Sequence, residues 1–181
     1  MGKIKVHEFS SLDGVVQDPD WTFEFGFTER MGEVIGGLTG SSSAILLGRR
    51  THEMFAPAWS ARTAEDDPGA PFFNDTTKYV VSTTMTDPAW KNSEVIGGYD
   101  PEKIRALKAS ADGDVFVSGS ITLVRALLTD GLVDELHLFV YPIALGSGLR
   151  LFADGGPRTK LSLLAGETFE NGVAHLVYGP A

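Results

Sequence analysis

Three times along this chain a short apolar run breaks off into a turn of small, hydroxylated or basic residues. Residues 44–47 run into Gly48-Arg49-Arg50-Thr51, residues 78–81 into Ser82-Thr83-Thr84, and residues 114–117 into Ser118-Gly119-Ser120. Behind the first and third turns the apolar spacing becomes helical, with Met54 and Phe55 after the one and Ile121, Val124, Leu127 and Leu128 after the other. A strand–turn–helix unit cannot bury its strand alone, and apolar runs this short without polar alternation suit strands covered on both faces. The pattern predicts an α/β fold of three layers, a mostly parallel central sheet flanked by helices. Ligands of such sheets lie beyond the carboxyl ends of the strands, which makes the three turns the candidate site.

The rest of the chain extends this architecture within one domain, residues 1–181. Residues 3–9 read as a strand entering the turn-forming Ser10-Ser11-Leu12-Asp13-Gly14 cluster, and Phe27, Met31, Val34, Ile35 and Leu38 as the inner face of a helix stopped at residues 40–43. Residues 56–77 lack periodicity and read as a long surface loop. After a weaker strand at 94–96, Asp100 suits an N-cap and Pro101 a first helical position, with Ile104 and Leu107 facing inward. Residues 136–141 are too apolar to alternate and belong in the sheet centre or in an interface. Residues 161–164, 168–169 and 173–178 predict antiparallel strands closed by a type I′ turn at Asn171-Gly172.

Charge and composition narrow the chemistry. With 15 basic against 24 acidic residues the net charge is -9, which repels nucleic acid and anionic membranes and leaves a small molecule as the expected partner. There is no cysteine, so thiol chemistry and thiolate metal sites are excluded. His7, His52, His137 and His175 have no ligand spacing and no metal is expected; no G-x-S-x-G elbow points to a hydrolase. Neither a signal-peptide pattern nor an apolar stretch of roughly 18–20 residues is present, and the expectation is a cytoplasmic protein.

Against that acidic background, Gly48-Arg49-Arg50-Thr51 gathers what phosphate needs: a close backbone approach, two guanidinium groups and a hydroxyl where a strand meets a helix. A solvated surface turn is the competing reading. Ser82 and Thr83 suit phosphate or turn capping, and Ser118-Gly119-Ser120 is a glycine turn without full G-x-G-x-x-G spacing. Gly146-Ser147-Gly148 follows the 136–141 run with no helical pattern after it and reads as a structural turn.

Taken in order, Ser11-Leu12-Asp13-Gly14, Gly48-Arg49-Arg50-Thr51, Val80-Val81-Ser82, Val117-Ser118-Gly119-Ser120, Asp134-Glu135-Leu136 and the stretch from Pro142 through Gly146-Ser147-Gly148 to Leu151-Phe152 resemble the dihydrofolate reductase-like family. The resemblance is closest to the C-terminal reductase domain of bacterial riboflavin-biosynthesis deaminase-reductases, and it spans nearly the whole chain. It implies a dihydrofolate reductase-like fold, NADPH as cofactor, a homodimer, and hydride transfer to a small heterocycle of the pterin or phosphoribosylaminouracil type. By the same resemblance Gly48, Arg49, Arg50 and Thr51 meet the cofactor phosphates, and Ser82 and Thr83 lie by the adenosine phosphate. Ser118, Gly119, Ser120 and Ile121 form the turn under the pyrophosphate, and Asp13, Gly14 and Val16 the loop beside the nicotinamide.

Three departures stand beside it. The deaminase zinc signature cannot be built without cysteine. Riboflavin-pathway reductases typically carry Glu where this chain has Ser118. The acid of true dihydrofolate reductases lies near the start of the first helix, where this chain offers Glu24 and Glu29. Asp13, Glu24 and Glu29 are the catalytic candidates, with Asp20 a further proton relay, and Trp21, Phe23, Phe25 and Phe27 are pocket wall, lid or core. Two other readings remain: a non-catalytic nucleotide-binding or sensing module, and a homodimeric interaction protein whose 136–141 strand is interface.

Overall fold

The computed structural model describes residues 2–181. Its strands are β1 (Ile4–Ser11), β2 (Ser42–Gly48), β3 (Thr77–Val81), β4 (Ser93–Gly97), β5 (Asp114–Ser118), β6 (Glu135–Tyr141), β7 (Leu161–Thr168) and β8 (Ala174–Pro180). They form one sheet in the order β4-β3-β2-β5-β1-β6-β8-β7. The strands from β4 to β6 are all parallel, whereas β8 is antiparallel to both β6 and β7. This is the expected α/β fold with its antiparallel C-terminal hairpin.

Five helices, α1 (Glu29–Gly40), α2 (Arg49–Trp59), α3 (Ala70–Asp75), α4 (Pro101–Ser110) and α5 (Ile121–Thr129), and a 3-10 helix (Pro19–Phe25) complete the described residues. Local signals set several ends. Thr28 accepts a hydrogen bond from Met31 N and caps α1; Asp100 accepts from Glu102 N, with Pro101 in the first position of α4 as its sequence predicts. On one face of β1, Ile4 and Val6 pack with Val115, Val117 and Leu136 against Ile104 of α4 and Leu123, Val124 and Leu127 of α5. The other face carries Phe116, Ile45 and Leu47 with Phe73 of α3, and beside them Phe139 and Tyr141 under Met31 of α1. Each such side chain contributes about 1.5–3 kcal/mol by leaving water. No helix among the described residues is long and apolar enough to cross a membrane.

Two expectations need correction. Residues 56–77 are not one surface loop: α2 continues through Pro57 to Trp59, and α3 buries Ala70, Phe73 and Asn74. Helix α3 is six residues long and draws its stability from packing, which leaves little periodicity to read. The hairpin is not type I′ either, because that turn needs positive φ at both central residues and Asn171 is not among the residues with positive φ. Instead Gly172 N donates to Phe169 O and Phe169 N to Val173 O, with Gly172 at φ 83, a three-residue connection. Asn171 is drawn away to donate through Nδ2 to Gly26 O.

The layers are unequal. Strand β6 lies inside the sheet between β1 and β8, as its composition requires. Beyond β1, however, the face that α4 and α5 cover elsewhere is open. Leu138, Leu176 and Tyr178 are only part-buried there, and Leu163 of the edge strand, opposite Tyr178, is 59% exposed.

Candidate functional site

The turns after β2 and β5 are stitched together. Ser120 N donates to Thr51 Oγ1 at 2.8 Å, and Gly48 N donates to Ser120 Oγ at 2.9 Å. Gly119 makes this possible: at φ +57 a Cβ there would sit 3.2 Å from Thr51 Cγ2. The N-termini of α2 and α5 meet at this junction, and neither has a side-chain cap. Uncapped N-terminal N–H groups carry the positive end of the helix dipole and suit an anion.

Arg49 ties the β2 turn to the β3 turn, donating through Nε to Glu53 at 2.7 Å and through Nη1 to Thr84 at 2.6 Å. Arg50 is exposed and makes no ion pair among the described residues. Ser82 is buried, and its hydroxyl accepts from Thr84 N and Met85 N, which makes it the turn-former the sequence allowed; Thr83 beside it is exposed. Ile121 opens α5. Ser118 looks elsewhere: its Oγ lies 3.2 Å from His7 Nδ1 on the α1 side of the sheet. Burial and the neighbouring His137 and His175 push the His7 imidazole down to about 3, so it is neutral at pH 7.

The loop after β1 is clamped by the segment after β6. Leu12 N donates to Ile143 O, Val16 N to Leu149 O and Leu151 N to Gly14 O. Asp13 accepts from Ser11 Oγ at 2.6 Å, Leu145 N at 3.0 Å and Gly146 N at 2.8 Å, and those donors hold its carboxyl down at about 2. A carboxylate so held organises the loop and is a poor proton donor. Gly148 completes the clamp as a structural turn, for at φ +120 a Cβ would lie 2.6 Å from Val15 Cγ1. Gly14 and Val16 are thereby fixed, Val16 in the core.

The other acidic candidates stand apart from the turns. Glu24 and Asp20 are exposed on the 3-10 helix, and Glu29 is the exposed first residue of α1. Of the aromatic residues near them, Trp21 and Phe25 each pack edge-on against Tyr141, at 5.4 Å and 5.5 Å, whereas Phe23 and Phe27 are exposed. Sequence reading passed over two groups on β1. His7 Nε2 and Glu8 Oε1 are buried without a hydrogen-bond partner among the described residues, on opposite faces of the central strand. No group of His, Asp or Glu among the described residues is arranged to hold a metal ion.

Residues 3–175 match the RibD C-terminal domain. The chain belongs to that family. The family is that of the reductase half of riboflavin-biosynthesis proteins, the one that the ordered turns and the loop clamp resemble. Among curated relatives, uncharacterized protein YyaP of Bacillus subtilis is 26% identical over 174 residues, covering 92% of this chain and 83% of that protein. Among solved structures, a putative riboflavin biosynthesis protein from Shewanella sp. PV-4 superposes with a TM-score of 0.81 at 20% identity, over 100% of this chain and 99% of that one. The Thermotoga maritima diaminohydroxyphosphoribosylaminopyrimidine deaminase/reductase superposes at 0.68 and 18% identity, over 99% of this chain and 57% of its own. At these identities the structural matches speak for the fold.

Proposed function

We propose that this RibD-type domain is an NADPH-dependent reductase that passes a hydride to a small conjugated heterocycle, of the pterin or phosphoribosylaminouracil kind. The observation that carries this reading is the stitched junction of Gly48–Thr51 with Ser118–Ile121, where two uncapped helix N-termini meet and Arg50 is the exposed second residue of α2. That donor set fits a dinucleotide phosphate despite the net charge of -9. When bound, NADPH supplies the hydride. The protein's own part is to hold the phosphates at Gly48, Arg49, Arg50, Thr51 and the 118–121 turn, and to keep the loop at Asp13, Gly14 and Val16 in one shape beside the reacting ring. This reading puts the protein in the cytoplasm.

Fluorescence titration with NADPH and NADH tests it. Arg49→Ala and Arg50→Ala each weaken NADPH by about 1.5–3 kcal/mol, roughly ten- to 150-fold, as loss of a charge-assisted bond implies. Absence of binding by either nucleotide refutes the reading.

The proposed assembly is a homodimer. The open sheet face, where Leu138, Leu161, Tyr178 and the half-exposed Phe152 line a depression of about 390 Å³ and the exposed Leu163 stands opposite Tyr178, supports a second copy as its cover. Leu163→Glu then yields a folded monomer by sedimentation equilibrium, and a wild type that is already monomeric at micromolar concentration rejects the dimer.

A further inference from the structure

Glu8 is 3% exposed on the central strand of the sheet. It stands opposite Leu138 of β6 in the row after His7 and Ser118, where β5 passes into the Gly119–Ser120 turn. Its face is that of Val6 and Leu136, whose apolar cluster also holds Val16, Leu123 and Leu151; Glu8 makes no ion pair among the described residues, and Arg125, which reaches the cluster at Leu151, donates to Leu151 O and Arg150 O. Oε1 is sealed from solvent and has no partner among the described residues. A carboxyl left this way is costly, and ionised it would be several times costlier. Burial accordingly drives its pKa well above the ordinary carboxylate value. Meanwhile Asp13 is committed as a carboxylate to the loop clamp, and Glu24 and Glu29 face solvent.

We propose that Glu8 is the proton donor of the reduction, a carboxylic acid kept dry within β1, one row past the end of its pairing with β5 and three residues before Ser11, where the clamped loop begins. The step balances simply. The substrate's C=N carbon gains the hydride and its nitrogen takes the Glu8 proton, so that one N–H bond forms as the Glu8 O–H bond breaks. The nicotinamide is oxidised and the double bond reduced by two electrons. Glu8 is left as a carboxylate and recovers its proton from water. This rests on the reductase reading above.

Infrared difference spectroscopy of the whole protein at pH 7, with and without NADPH, makes the first test. A protonated-carboxyl band is expected in the free protein, displaced when NADPH binds and missing from Glu8→Gln. Glu8→Gln also raises the midpoint of urea unfolding at pH 7, because it removes the cost of keeping that acid buried. With a pterin or pyrimidine acceptor found by screening, the same variant slows hydride transfer by about 10²–10⁴-fold, the range for loss of a general acid, while NADPH affinity stays within twofold. If the band is absent, or NADPH binds without moving it, or the rate falls less than tenfold, Glu8 is not the donor and the reductase reading stands. If NADPH does not bind, or no acceptor is reduced, the reductase reading fails and the proposal falls with it.

Discussion

Lys78→Ala is expected to lower the free energy of unfolding by about 3–5 kcal/mol, the range for a large buried side chain whose partners are left unmatched. Lys78 is fully buried on β3. Its ammonium donates to Phe73 O at 2.7 Å, Asn74 O at 3.3 Å and Thr76 O at 2.8 Å, and lies 4.5 Å over the Trp90 ring. It thus closes the carboxyl end of α3 with one side chain. Burial pushes its pKa down to about 8, so the group still carries its charge at neutral pH. Alanine removes the volume and orphans the carbonyls together, whereas Lys78→Met restores most of the volume and isolates the cost of the lost ammonium. Urea denaturation of both variants at pH 7 measures the two contributions. Because Lys78 lies at the end of β3 away from Ser82, NADPH affinity of the folded Lys78→Met protein should match the wild type. A loss under 1 kcal/mol for Lys78→Ala would show that α3 does not depend on this lysine.

Acid is expected to weaken the fold long before its carboxylates titrate. His7 is neutral in the folded state because burial, then His137 and His175, hold its pKa near 3 against an ordinary 6.5. His137 and His175 are also lowered, in both cases chiefly by burial. The unfolded chain takes up a proton on His7 as pH falls below 6.5 while the folded chain does not until about pH 3, so the stability present above 6.5 is lost across that window, and His137 and His175 act in the same direction. At 1.36 kcal/mol for each unit, His7 alone accounts for as much as about 4–5 kcal/mol. His137 and His175 are linked at 3.0 Å and flanked by Glu135 at 3.1 Å and Glu167 at 3.6 Å, which limits their share. Unfolding free energies measured from pH 7 to pH 4 should show this slope, and His7→Phe should flatten it. Glu8 works in the opposite direction, costing stability as pH rises above 4.5, the ordinary value for the group. An equal slope in wild type and His7→Phe would remove His7 from the account.

How much was legible in the chain follows from how local each feature is. The Asp100-Pro101 start of α4 could be read because the capping group and the amide it serves are two residues apart. The strand–turn–helix units at Gly48 and Ser118 were legible for a similar reason, since β-rich apolar runs and glycine turns act on their immediate neighbours. Helix α3 was missed because its support comes from Lys78 and Trp90 rather than from its own six residues. The turn type at Asn171 was misread because Gly26 competes for the Asn171 side chain across 145 residues.

The candidate site divides along the same line. By itself the sequence determined the α/β class, the order of the turns, the basic Gly48–Thr51 segment and the family, all carried by residue types at short spacing. Only the tertiary structure decided that Asp13 is a loop clamp, that Ser118 belongs to His7, that Gly48 and Thr51 share one junction with Ser120, and that Glu8 is a carboxyl without a partner. Those facts depend on desolvation and on contacts between strands distant in the chain. A side chain's ionisation and its free hydrogen-bonding capacity are set by what surrounds it in space, which no local pattern of residues records.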